Sequence, residues 1–128
     1  MASKLLRLLL GLSGAALVAP AAAQEDPDSL AAATRQLDSG VALARRQIAA
    51  SDLTAALGTL ERVLFAFPEA VPPRLLYASL LCRLDDRQAA ELELGLLAGK
   101  RIADADWAGV TGACGPVQRP PSKKGKRR

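Results

Sequence analysis

The two cysteines, Cys82 and Cys114, are the residues of this chain best suited to covalent chemistry. In an exported chain an even number of cysteines permits one disulfide. The alternative is a pair of free thiols, one of them buried like a small apolar side chain. Cys82 falls on the third predicted helix and Cys114 follows a short predicted helix that carries Trp107. A bridge between them would hold the short helix against the rest of the fold.

Acid–base and metal chemistry have few candidates in this sequence. The chain has no histidine, which removes the commonest general base and metal ligand, and it has no glycine-rich phosphate-binding loop. The sequence therefore predicts a protein that is not an enzyme, with no catalytic, cofactor-binding or metal-binding residues. The sequence has three close carboxylate pairs. Asp85 and Asp86 are interpreted as a turn with a helix cap. Glu91 with Glu93, and Asp104 with Asp106, are interpreted as parts of solvated helix faces.

The first 23 residues have the pattern of a secretory signal peptide. Two basic residues are followed by an apolar run over residues 8 to 19, and Ala21, Ala22 and Ala23 supply the small residues that a signal peptidase reads. The apolar core is shorter than the roughly 20 residues of a membrane-spanning helix, which disfavours the alternative of an uncut anchor. We expect cleavage before Gln24 and, by compositional analogy, a location in the bacterial periplasm.

Charge is segregated along the chain. Residues 24–118 carry nine basic and 13 acidic side chains, whereas six basic residues lie within the last ten. Residues 116–128 also contain three prolines, so we expect a disordered basic tail. Such a tail could contact anionic lipid or polysaccharide; the alternative is a tail that keeps the chain soluble and has no ligand. Predicted export and the absence of interleaved aromatic residues argue against nucleic acid. Its terminal cluster is Lys123, Lys124, Lys126, Arg127 and Arg128.

Residues 24–115 are predicted to form one helical domain, because alanine and leucine are abundant and β-branched residues are few. The apolar spacing predicts five helices over residues 29–50, 53–65, 72–84, 87–97 and 105–113. Ser39 and Gly40 weaken the first of these. The expected N-terminal caps are Asp28, Asp52, Asp86 and Asp104.

Several residues recur 34 positions apart: Leu43 and Ala44 as Tyr77 and Ala78, Asp52 as Asp86, Ala56 as Ala90, and Leu60 as Leu94. This is the period of the tetratricopeptide helix–turn–helix, and residues 37–98 resemble the tetratricopeptide repeat (TPR) family. That family has small residues where two helices touch, which here pairs Ala44 with Ala56 and Ala78 with Ala90. The chain departs from the pattern at Gly40 and Arg74, where the family usually has an aromatic residue.

The resemblance implies an all-α fold of antiparallel hairpins, stacked as a short TPR-like solenoid with a C-terminal capping helix; the alternative is a generic helical bundle. It also implies a protein-binding groove along the first helix of each hairpin. We therefore expect an exported adaptor in the bacterial cell envelope. The alternatives are an envelope-surface binder that uses its basic tail, and a homo-oligomer formed through an uncapped end. Carried over by spacing, the groove residues are Val41, Arg45, Ile48, Leu75, Ser79 and Arg83.

Overall fold

The computed structural model describes residues 26–123, which form six α-helices and contain no strand. This confirms the predicted all-helical class. The predicted signal peptide lies outside the described residues, and within them no helix has the length and apolar character needed to cross a membrane. The helices are α1 (Pro27–Ala33), α2 (Leu37–Ala49), α3 (Leu53–Ala66), α4 (Val71–Arg83), α5 (Arg87–Gly95) and α6 (Asp104–Cys114).

The turn between α2 and α3 and the turn between α4 and α5 have the same geometry, 34 residues apart. Ser51 and Asp85 both have φ of 63°, and each is followed by an aspartate that caps the next helix. Asp52 and Asp86 each accept a 3.0 Å hydrogen bond from the backbone N–H three residues later, which satisfies a donor that the helix start leaves unpaired. The caps predicted at these two aspartates are confirmed.

Alanine allows the helices of each hairpin to approach closely. The side chains of Ala44, Ala56, Ala78 and Ala90 have no exposed surface. Ala44 and Ala56 belong to one buried cluster with Leu60 and Leu80, where α2 and α3 meet α4. Ala78 and Ala90 belong to a larger cluster in which α4, α5 and α6 meet. Helix α4 is thus the central element of the fold, as its apolar character on most sides predicts.

The prediction of one continuous helix over residues 29–50, capped by Asp28, is wrong. The structure has two helices there, separated at Thr34–Gln36 and not at Ser39–Gly40. The cap is Asp26, which accepts from the Ser29 N–H at 3.2 Å, and Asp28 lies inside the first turn of α1. Proline is favoured at the first helical position, and Pro27 occupies it.

Helix α6 packs on α4 and is covalently tied to it. A disulfide joins Cys82 on α4 to Cys114 at the end of α6, with the two Cα atoms 5.1 Å apart. Val110 and Cys114 reach the larger buried cluster, and Trp107 packs against its edge. The cap predicted at Asp104 is wrong, because Ala103 is the N-terminal cap and makes no side-chain hydrogen bond.

Residues 116–123 lie against the helices, which differs from the disordered tail expected from residue 116 onwards. Val117 packs against the larger buried cluster. The Gly99 N–H donates to the Pro121 carbonyl at 2.7 Å, and Gly99 and Ser122 form an isolated parallel bridge. The disorder prediction was based on the number of prolines and charges in the segment. Composition does not show whether the folded helices offer a surface on which the segment can dock. Residues 124–128 lie outside the described part of the chain.

Candidate partner-binding surfaces

The groove predicted along α2 and α4 is not an open apolar groove. Val41 and Leu75, which were expected to line it, are 7% and 4% exposed. Leu75 belongs to the cluster that α6 helps to form, so the packing of α6 on α4 uses a surface that the prediction assigned to a partner. Leu75 and Val41 are core residues in this structure.

The other predicted groove residues are polar or half-buried. Arg45 and Arg83 are exposed, and Ile48 packs against the cluster shared by α2, α3 and α4. The Ser79 hydroxyl donates to the Leu75 carbonyl at 2.8 Å within its own helix. This face therefore offers two exposed guanidinium groups, without the apolar floor that would give a protein partner most of its buried area.

An exposed aromatic side chain marks a different surface, at the end of α3. Phe65 is 91% exposed. It lies two residues beyond the buried Val63, which at about 100° per residue places it on the opposite side of the helix. Phe65 lies outside the buried stripe that the sequence predicts for this helix, which is formed by Leu53, Ala56, Leu57, Leu60, Val63 and Leu64. An aromatic residue outside a predicted buried stripe was the available signal.

Phe65 borders an open hollow of about 600 Å³ between α1 and α3. Its lining is largely apolar and also includes charged side chains of both signs, Arg35, Glu61 and Arg62. This combination is typical of protein contact surfaces, which have an apolar centre and a polar rim. We call it the Phe65 hollow; its lining residues are Ala31, Thr34, Arg35, Glu61, Arg62, Phe65 and Ala66.

Two more apolar side chains are exposed near the C-terminal end of α5. Leu92 and Leu96 are 70% and 63% exposed, and their spacing of four residues puts them on one face of the helix. A cavity of about 450 Å³ lies between α5 and residues 118–121, lined in part by Glu91, Leu94 and Gly95. The C-terminal segment therefore covers part of this end of the fold without filling the space beneath it.

Ion pairs between neighbouring elements hold the loops near these surfaces. Arg74 at the start of α4 pairs with Glu93 on α5 and donates to the Pro68 carbonyl at 2.7 Å. Lys100 pairs with Glu69 across two loops, and this hydrogen-bonded ammonium lowers the pKa of the Glu69 carboxyl. Within residues 26–123 there is no group of three or more cysteine, aspartate or glutamate side chains placed to hold a metal ion.

Tyr77 on α4 donates a 3.1 Å hydrogen bond to Glu61 on α3. Burial, followed by this hydrogen bond to a carboxylate, raises the pKa of Tyr77 to about 12. Both causes favour the neutral phenol, because a tyrosinate would be poorly solvated there and would face a negative charge. The unfolded chain ionises this phenol near pH 10, so its contribution to stability is present below pH 10 and is lost as the pH rises to 12.

Because Tyr77 is the chain's one tyrosine, the ultraviolet absorbance of tyrosinate reports it alone. We expect a midpoint near pH 12 in the folded protein and near pH 10 in denaturant. Glu61→Gln should lower the folded midpoint part of the way, since the contribution of burial remains. A folded midpoint at pH 10, with helicity retained by circular dichroism, would contradict the Tyr77–Glu61 contact.

No family model, no curated protein and no solved structure matches this chain.

Proposed function

We propose that this protein is an exported, TPR-like adaptor that binds another protein in the bacterial cell envelope and performs no catalysis. The repeat interpretation is supported by two hairpin turns of the same geometry 34 residues apart. It is also supported by the four buried alanines at the helix contacts. Both features are expected of stacked helical hairpins, whose neighbouring units bury a continuous core.

The observation that carries the proposal is the exposure of Phe65 beside an apolar hollow. A phenylalanine side chain gains about 1.5–3 kcal/mol when it is fully removed from water, and aromatic side chains supply much of the binding energy at protein interfaces. The rim residues Arg35, Glu61 and Arg62 can orient a partner through charge. We therefore assign the partner contact to the Phe65 hollow, in place of the α2–α4 groove expected from the resemblance.

Export is supported by two independent features. Residues 1–23 have the signal-peptide pattern, and the Cys82–Cys114 disulfide suits an oxidising compartment such as the periplasm. The net charge of −4 over residues 24–118 indicates that this helical part of the chain does not bind polyanions by charge alone.

The test places a photo-crosslinking amino acid at position 65 in living cells, with position 96 as the matched control. Leu96 is also a large exposed apolar residue, but it is the C-terminal cap of α5. We expect one discrete protein crosslinked from position 65. With that partner purified, Phe65→Ser should weaken binding at least tenfold by calorimetry, and Leu96→Ser should leave it within twofold.

The other outcomes separate the alternatives. Crosslinks from position 96 alone would contradict the assignment of the Phe65 hollow. No protein crosslink from either position would contradict the adaptor function. In that case, association with the membrane fraction that is lost on deleting residues 124–128 would favour the anionic-surface binder, because four of those five residues are cationic.

A further inference from the structure

Residues 116–123, here called the C-terminal strap, occupy a groove formed by the end of α5, the following loop and the start of α6. The strap leaves α6 at Gly115, where φ is 70°. Arg87 holds this exit by donating to the Cys114 carbonyl at 2.8 Å and to the Pro116 carbonyl. The strap is a segment with its own docking surface on the helices, and its contacts show what that surface recognises.

The strap contacts the groove at three alternate residues. Val117 packs against the buried cluster of α4, α5 and α6. The Arg119 guanidinium donates to the Asp104 carboxylate at 2.7 Å and to the Ile102 carbonyl at 2.6 Å. Pro121 accepts the Gly99 N–H. A spacing of two residues is the period of an extended chain, in which alternate side chains share one side.

The contact to Arg119 is the most specific of the three. Its guanidinium carbon lies 5.8 Å from the centroid of the Trp107 ring, so one arginine is recognised by a carboxylate, a carbonyl and an aromatic face. Lysine does not reproduce this set, because a planar guanidinium can donate in two directions while stacking on a ring. The groove therefore carries an arginine site between an aliphatic site and a backbone hydrogen-bond donor.

The strap leaves part of this groove unfilled, and its ion pair is exposed to water. The ion pair between Arg119 and Asp104 is exposed, with the carboxylate side chain 95% accessible, and exposed ion pairs contribute about 1 kcal/mol or less. The cavity of about 450 Å³ remains between α5 and residues 118–121. A segment with larger side chains next to its arginine would gain contacts that the strap does not make.

We propose that this groove binds an extended segment of a partner protein, one with an aliphatic residue, an arginine two positions later and, two residues beyond that, a backbone carbonyl that accepts the Gly99 N–H. The strap is the resident competitor for the site. The Asp104 carboxylate, which pairs with Arg119, favours an arginine at this position of the segment. This site is separate from the Phe65 hollow and does not depend on the adaptor assignment made above.

The experiment measures the binding of a fluorescent peptide with the sequence of residues 115–123 to the purified full chain. A tethered strap competes at an effective concentration near the millimolar range, so the native protein should bind the free peptide weakly. Arg119→Ala weakens the tethered competitor and leaves the groove intact. We expect at least tenfold tighter peptide binding by anisotropy in Arg119→Ala, and Val117→Ser should show a similar gain through a different anchor.

Three controls make the result specific. Arg83→Ala changes an exposed arginine outside the groove that the strap occupies, and this variant should bind the peptide as the native protein does. Adding Asp104→Asn to the Arg119→Ala chain should reduce the gain by up to about fivefold, and a peptide with alanine in place of its arginine should bind at least tenfold more weakly. Trp107 is the one tryptophan, so its fluorescence should shift in Arg119→Ala and return towards the native spectrum when peptide is added.

Equal peptide affinity in the native and Arg119→Ala chains would overturn the proposal, as would equal binding of the arginine-free peptide. A dimer of Arg119→Ala that forms with rising concentration, measured by light scattering, would assign the groove to the strap of a second copy. That result would also overturn the proposal of a distinct partner.

Discussion

Replacing both Cys82 and Cys114 by alanine should lower the free energy of unfolding by about 3–4 kcal/mol. The bridge closes a loop between residues separated by 32 positions, and the chain-entropy model assigns a loop of that size a stabilisation of about 3–4 kcal/mol through the unfolded state. Small domains are stable by only about 5–15 kcal/mol in total. The disulfide is therefore expected to be the largest single contribution from one pair of side chains.

Urea denaturation followed by circular dichroism measures this change, and reduction of the native protein provides a matched comparison. A reducing agent should shift the native midpoint to that of the double variant and should not change the variant itself. Trp107 fluorescence adds a local readout, because α6 carries this residue. A reducing agent that leaves the native midpoint unchanged would contradict the bridge between α4 and α6.

Gly40→Ala should destabilise the protein by about 1–3 kcal/mol, although alanine normally stabilises a helix interior by about 0.5–1 kcal/mol relative to glycine. A Cβ atom at Gly40 would lie 2.3 Å from Cγ2 of Val63. Val63 is fully buried, and its β-branched side chain has one preferred rotamer in a helix. Neither side chain can move aside cheaply, so α2 and α3 would have to separate.

The matched control is Gly58→Ala on α3, where a Cβ atom would have no neighbour within 4 Å. This substitution should stabilise the protein by about 0.5–1 kcal/mol. In a double-mutant cycle, Val63→Ala should remove most of the cost of Gly40→Ala, since it vacates the space that the new methyl group needs. If Gly40→Ala raises the urea midpoint as Gly58→Ala does, the close approach of α2 and α3 at Gly40 is wrong.

At Gly40 the helix propensity of glycine and its role in the folded protein predict opposite effects of an alanine substitution. Gly40 was interpreted as a weak point of the first helix because glycine has low helix propensity. In the structure α2 continues through it, and its lack of a side chain allows contact with α3. Propensity describes one helix in isolation, whereas a helix contact depends on the residue of the other helix that faces it.

The candidate binding surfaces were the least predictable part. The groove predicted from the resemblance requires the first helix of each hairpin to stay exposed. Leu75 on α4 is instead buried in a cluster with α6. Phe65 could have been noticed from its position outside the predicted buried stripe. The strap could not, because Arg119 meets Ile102, Asp104 and Trp107 only when residues 116–123 fold back over the start of α6.

The sequence by itself determined the helical class, the two hairpins, the caps at Asp52 and Asp86 and the 34-residue repeat, since these depend on residues close together in the chain. Tertiary structure decided the close approach at Gly40, the burial of Leu75 and the docking of the strap. Each of these depends on which side chain of a distant element occupies a given space. Local patterns determine the elements, and packing decides which surfaces remain for a partner.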